Sequence, residues 1–320
     1  MIFAYQQSDG KLTLLPPDAP LEQAIWVDLY KPLPGQQDRT RGLGIDVPTL
    51  EDMEEIEISN RLYRENDVDY MTVVLPGMSE TRAALSSPVT FILTPQRLVT
   101  VRHHVPRPFE TYPQRADKVG PGCSTPDRVF LGLIEEIVGR LADLLEGSGR
   151  ALEEVTRSVY DADPRQKSAA ALQMALEQVG RESDLVARVR LSLLTLERAI
   201  SFYGQQLTDL GRGKELTPVV KGMMRDISAL EVHGDYLTTR VAQATDATLG
   251  MINLMQNVTV RIVSVVAVLF LPPTLIASIY GMNFRLMPEL DETWGYPMAL
   301  AIMVASAAGS YLFFKWKKWL

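Results

Sequence analysis

The chain has 320 residues, 46% of them hydrophobic, and sets 39 Asp and Glu against 32 Lys and Arg for a formal charge of −7. That length allows a sizeable core, while an acidic body argues against nucleic acid or anionic lipid as its partner and favours cations. The lone cysteine, Cys123, supports no intramolecular disulfide and suits a reducing compartment.

The first residues, Met1-Ile-Phe-Ala-Tyr-Gln-Gln, lack the basic region and long apolar core of a secretion signal, so a cytoplasmic N-terminus is expected. Short β-branched and aromatic runs at 24–29, 68–75, 89–93 and 97–102 predict strands bounded by Pro, Gly and polar turns. Between them, Thr49 followed by Leu-Glu-Asp predicts a helix with a Thr cap and acidic first turn. Residues 1–125 therefore read as an α/β subdomain. From Pro126 the period changes, and apolar residues three and four apart predict long helices over 131–160 and 168–202, with a break at 161–164. These helices fill a second region, 126–217. Internal repeats and low-complexity tracts are not evident.

No proline interrupts the helical pattern between Pro218 and Pro272, which predicts one helix over about 219–280, roughly 90 Å long. Its water-facing stalk, beginning near 218, thus runs without a break into its apolar end. Steps of seven from Asp246 give Asn253, Val260, Ala267, Thr274 and Gly281, and steps from Gly250 give Asn257, Ser264, Leu271 and Ser278. Together they form a stripe that stays small or polar at hydrocarbon depth, where it cannot cheaply face lipid. It either packs closely on another helix or lines a pore shared by copies of the chain. The carboxylate of Asp246 followed by the amides of Asn253 and Asn257 favours the pore, because such oxygens suit a hard, slowly dehydrating cation such as Mg²⁺.

About 23 residues between Arg261 and Arg285, and about 22 between Glu292 and Lys315, carry no charge, enough for two membrane spans. Trp294, Tyr296, Trp316 and Trp319 at their edges fit interfacial anchoring. The connecting loop, 281–296, holds Arg285 against Glu289, Asp291 and Glu292, whereas Lys315, Lys317 and Lys318 close the second span, 297–315, and open the tail, 316–320. Positive residues stay inside, so the loop is external and both termini are cytoplasmic, in a multi-pass protein of the inner (plasma) membrane. From Arg261 onward five basic and three acidic side chains give about +2, leaving about −9 for the rest. Two helices cannot enclose a channel, so a pore requires a homo-oligomer.

The turn Tyr280-Gly281-Met282-Asn283-Phe284, with Met287-Pro288-Glu289-Leu290 and Trp294-Gly295-Tyr296-Pro297, resembles CorA-type magnesium transporters. The order of parts is similar too, strongest from Asp246 to Leu320 and recognisable around Leu50-Glu51-Asp52. The resemblance implies an α+β cytoplasmic domain, a long stalk helix and two C-terminal transmembrane helices, assembled as a funnel-shaped homopentameric channel. It further implies passive Mg²⁺ influx, with Co²⁺ and Ni²⁺ tolerated, and Mg²⁺ as both substrate and regulatory ligand. By the same match Gly281, Met282 and Asn283 form the selectivity filter, where Asn283 oxygens hold hydrated Mg²⁺. Thr274 becomes a site in the outer pore, Leu271 and Val260 an apolar constriction, Asn257 an inner polar ring and Asp246 a cytoplasmic acidic ring. Glu289 gathers cations outside, and Lys315, Lys317 and Lys318 form a basic collar. The family's regulatory site pairs an N-terminal acid, matched by Asp52, with a stalk acid whose place is taken here by Gly222. Asp226, one helical turn further on, is the substitute. Asp52 has the plainer alternative role of favouring a helix N-terminus.

Other chemistry finds no footing. Adjacent His103 and His104 would point to opposite faces of a strand, and His233 is remote. A phosphate-binding loop, an organic cofactor and a catalytic constellation are all unexpected, so no enzyme is predicted. The alternatives to a Mg²⁺ channel are a zinc transporter of the same superfamily and a membrane-anchored sensor without a pore. The intact Gly-Met-Asn turn and Met-Pro-Glu-Leu loop favour the first reading over the zinc branch.

Overall fold

In the computed structural model every residue is described except 80, 82, 119, 161–167, 210–213, 284–286, 291, 318 and 320, and the side chain of Leu290. The expected break at 161–164, and Phe284, Arg285, Asp291 and Lys318, therefore lie outside the described residues. Two compact units result: Met1–Arg157 with Glu177–Thr245, and Ser158–Leu176 with Asp246–Leu320.

The first unit is built on a seven-stranded sheet of β1 (Ile2–Ser8), β2 (Lys11–Leu14), β3 (Trp26–Tyr30), β4 (Leu62–Glu65), β5 (Val68–Met78), β6 (Ala84–Leu93) and β7 (Leu98–Arg102), ordered β2-β1-β3-β7-β6-β5-β4. Among these strands only β3 and β7 pair in parallel, Val27 opposite Val99. Three strands, β1, β2 and β4, are absent from the sequence prediction. Their turns carry the reason they form: Asp9 and Gly10 both have positive φ (51° and 79°), as do Asn66 and Asp67 (49° and 64°), the geometry of tight hairpins with the right twist.

Both faces of the sheet are covered. On one, Val27, Leu29, Val99 and Val101 join Ile45 and Met53 in a core cluster. On the other, aromatic rings step from Trp26 to Tyr112 (centroids 5.8 Å apart), and from Phe91 to Phe130 (5.4 Å) and on to Tyr203 (5.0 Å). Those rings tie the sheet to α4 (Pro108–Arg115), α5 (Pro126–Tyr160) and α6 (Ala169–Asp209). Edge-to-face pairs of this kind add about 0.5–1.5 kcal/mol beyond the area they bury. The described residues also include α1 (Pro34–Arg41), α2 (Leu50–Glu54) and α3 (Ile58–Arg61).

One ion pair lies inside this core. Arg102 donates through Nε and Nη2 to the Asp28 carboxylate at 3.1 and 2.9 Å, while the Thr100 hydroxyl donates to the same group at 2.9 Å. The guanidinium is sandwiched between the Tyr30 and Phe109 rings, 4.8 and 5.1 Å from their centroids. With full hydrogen bonding and two ring faces, the pair meets the conditions under which a buried charge is tolerated.

The sequence that predicts a helix over 219–280 forms α7 (Thr217–Tyr280), 64 residues in one piece. A last helix, α8 (Gly295–Trp316), follows the loop. Pro272 and Pro273 sit inside α7, so the carbonyls of Val268 and Leu269 lose their backbone partners without ending the helix.

Candidate functional site

The apolar parts of α7 and α8 are long enough to cross a membrane, and only 6% and 11% of their most apolar windows are buried. A core hairpin of a soluble protein would be mostly buried, so these helices expose a surface that water does not favour.

Around α7 the sheltered residues are few and fall mostly on one side, while most of the helix is exposed, including the large apolar Ile262, Val263, Val266 and Phe270. Every residue of the predicted stripe, Asp246, Asn253, Asn257, Val260, Ser264, Ala267, Leu271, Thr274 and Ser278, is exposed. Thr248, Met251, Met255, Val258, Val265, Leu269, Pro272 and Ile276 are buried or half-buried, and they recur mostly three and four apart on the opposite side. The chain therefore shelters part of the back of α7 and leaves the small and polar front exposed together with the apolar flanks. Val260 and Leu271, 65% and 66% exposed, are the large apolar members of that front. The hydroxyls of Ser264 and Thr274 donate to the carbonyls of Val260 and Phe270 at 2.8 and 2.7 Å. Their oxygen lone pairs stay available while their protons are satisfied within the helix.

At its far end α7 closes in a tight turn, Gly281 N donating to Ala277 O at 3.0 Å and Met282 N to Ile279 O at 3.2 Å. Asn283 follows immediately, exposed beyond the last turn. Glu289 lies, half-buried, in a short 3-10 turn, Pro288–Leu290. A Cβ at Gly295 would collide with the Glu289 carbonyl, so the glycine of the Trp-Gly-Tyr-Pro segment lets the loop lie directly on the start of α8. The sequence shows the glycine but not this contact. At the other end of α8, Lys315 and Lys317 are exposed, with Lys317 Nζ 5.4 Å from the centre of the Trp316 ring.

In the first unit Asp52 is the third residue of α2. Its Oδ2 accepts from Thr49 N at 2.9 Å and Thr49 Oγ1 at 2.7 Å, and its own N donates to Thr49 Oγ1 at 3.2 Å, a complete capping box. These bonds from the Thr49 hydroxyl and then its amide hold the Asp52 carboxyl below its ordinary range. Met53, 1% exposed, anchors the same turn in the core and leaves Asp52 outward.

Asp226 is exposed on α7, and a side chain at Gly222 would meet nothing within 4 Å. Asp226 acts on Glu135 of α5, which sequence reasoning did not single out: burial first, then the charges of Asp226 and Glu136, push the Glu135 carboxyl up. Among the described residues no three His, Cys, Asp or Glu side chains gather as a metal site. His104 is buried, its Nε2 bonded to Leu75 O at 2.9 Å.

The model of the family described as CorA-like Mg²⁺ transporter protein matches residues 22–317. The chain belongs to the CorA family. Curated relatives named magnesium transport protein CorA, from Pasteurella multocida and Escherichia coli K12, are 33% and 32% identical over the full length of both chains. The solved CorA magnesium transporter of Methanocaldococcus jannaschii shares the fold with a TM-score of 0.67, covering 100% of this chain and 99% of its own at 18% identity. Within this CorA-family chain the α/β N-terminal unit, the long helix and the two apolar C-terminal helices thus form a recognised architecture.

Proposed function

We propose that the chain is a passive Mg²⁺ channel of the inner membrane, assembled from five copies around the α7 helices, with both termini in the cytoplasm. The observation that carries this reading is the exposed front of α7, polar at Asp246, Asn253 and Asn257 and small through Ser264, Ala267 and Ser278, on a helix whose other exposed residues at membrane depth are large and apolar. Copies that face one another along this front enclose a pore without presenting polar groups to lipid. Asn283, with Gly281 and Met282, forms the outer mouth, where amide oxygens accept from the water shell of Mg²⁺ and do not strip it. Glu289 raises the local cation concentration there. Val260 and Leu271 form the apolar constriction, and Asp246 faces the cytoplasm.

Entry is driven by the membrane potential, about 2.3 kcal/mol per charge per 100 mV and twice that for a divalent ion. Regulation follows from Mg²⁺ binding between Asp52 of one copy and an α7 acid of the next, for which Asp226 stands one turn from Gly222. Co²⁺ and Ni²⁺ follow the same path less readily.

Purified protein in liposomes with an imposed potential tests the proposal. Mg²⁺ uptake is expected from the unmutated chain and loss of at least tenfold from Asn283→Ala. Absence of uptake, or uptake unchanged by the substitution, would overturn it. Competition by Zn²⁺ at lower concentration than Mg²⁺ would assign the chain to zinc instead.

A further inference from the structure

We infer that Arg261, Lys315 and Lys317 form a binding site for the phosphodiester headgroup of an anionic phospholipid at the cytoplasmic boundary of the membrane. The inference rests on the membrane orientation adopted above.

Three observations place the site. Arg261 lies 19 residues before Tyr280 and Lys315 lies 20 after Gly295, so each is about 30 Å along its helix from the external loop, one hydrocarbon thickness. All three cations are exposed and lie in one compact unit, and none has an ion pair among the described residues. Arg261 is also off the polar front of α7: it follows Val260 by one residue, about 100° around the helix, which turns it toward the flank. Trp316 and Trp319, 75% and 49% exposed, mark the same boundary.

Electrostatics then supplies the ligand. The chain is acidic as a whole, but between Asp246 and Glu289 its described residues hold Arg261 and no acid, and α8 holds Lys315 alone. Repeated around a five-membered ring, the three cations become about fifteen positive charges circling the exit of a cation pathway, at separations salt screens incompletely. A lipid phosphate supplies counter-charge at that depth without entering the pore. Each Lys or Arg near an anionic leaflet strengthens attraction to that surface roughly fivefold.

Fluorescence quenching by brominated lipid tests this in the full-length protein. Trp294→Phe removes the tryptophan of the external loop, and Trp26, wholly buried, is out of reach, so Trp316 and Trp319 report. Brominated phosphatidylglycerol diluted in unbrominated phosphatidylcholine should reach half-quenching at a bilayer fraction at least tenfold lower than brominated phosphatidylcholine diluted in the same lipid. R261Q/K315Q/K317Q should lower that preference at least fivefold, while R261K/K315R/K317R, which keeps the charges, preserves it and controls for folding. Equal quenching by the two lipids in the unmutated protein, or a preference that survives the glutamine variant, would overturn the inference. So would a preference abolished by soluble glycerol phosphate, because the site would then take free phosphate. Lipid preference without Mg²⁺ uptake would refute the channel and leave the lipid site standing; uptake without preference would do the reverse.

Discussion

Asp52 has two roles that a pair of substitutions separates. Thr49→Ala removes the bonds at 2.7 and 3.2 Å that pass through the threonine hydroxyl, yet leaves the carboxylate in place, still accepting from the Thr49 amide at 2.9 Å. Asp52→Ala removes the two bonds on Oδ2 together with the charge. Each costs the five-residue helix α2 about 1 kcal/mol, the usual worth of a cap, or roughly fivefold in local opening. If Asp52 also binds regulatory Mg²⁺, its loss removes a charged ligand worth about 1.5–3 kcal/mol, a shift of roughly tenfold to hundredfold in the Mg²⁺ concentration that closes the channel. The assay is Mg²⁺ uptake into proteoliposomes as internal Mg²⁺ is raised, with the half-closing concentration as the readout. Thr49→Ala should shift it by no more than about fivefold and Asp52→Ala by tenfold or more. Equal shifts would reduce Asp52 to a helix cap, and no shift for Asp52→Ala would remove it from regulation.

Other expectations concern the first unit and are read by thermal unfolding of the solubilised chain. Arg102→Met leaves Asp28, 2% exposed, with the Thr100 hydroxyl and no counter-ion, and should cost about 3–5 kcal/mol, most of it recovered by adding Asp28→Asn. Gly132→Ala would place a Cβ 2.6 Å from the Tyr112 hydroxyl, a cost of about 1–3 kcal/mol. That hydroxyl is buried with no hydrogen-bond partner among the described residues, so Tyr112→Phe should be neutral or stabilising, and in the double variant it should relieve only part of the alanine's cost, since ring carbons at 2.9 and 3.1 Å remain. Burial lowers His104 from 6.5 to about 4, so the folded protein binds its proton less readily than the unfolded chain. Stability is therefore complete above pH 6.5 and falls by roughly 3 kcal/mol as pH drops toward 4. His104→Gln, which can keep the bond to Leu75 O, should flatten that acid limb.

Long-period features were legible in the sequence. The helix expected over 219–280 is Thr217–Tyr280, and the Thr49 cap forms as the residue types require. Strands with apolar runs, such as β5 and β7, announced themselves, because a sheet buried on both faces demands continuous hydrophobicity. The shorter β1, β2 and β4 did not, although Asp9-Gly10 is a hairpin signal that would have found the first two. Legibility fails where proximity replaces periodicity. Glu135 beside Asp226, Gly295 beneath the Glu289 carbonyl and Arg102 against Asp28 join residues whose separations carry no pattern. The proposed regulatory acids belong to the same class, since the position that the family resemblance implies on α7 falls on Gly222, which has no ligand to offer.

The single-piece α7 has a mechanical consequence. Sixty-four residues at 1.5 Å make a lever of about 96 Å, with no proline between Pro218 and Pro272 to act as an elbow. In a rigid rod of that length a tilt of only one degree at one end carries the other through about 1.7 Å. Pro272 and Pro273, which leave the Val268 and Leu269 carbonyls without backbone partners, mark the stretch near its far end where such a rod bends most easily.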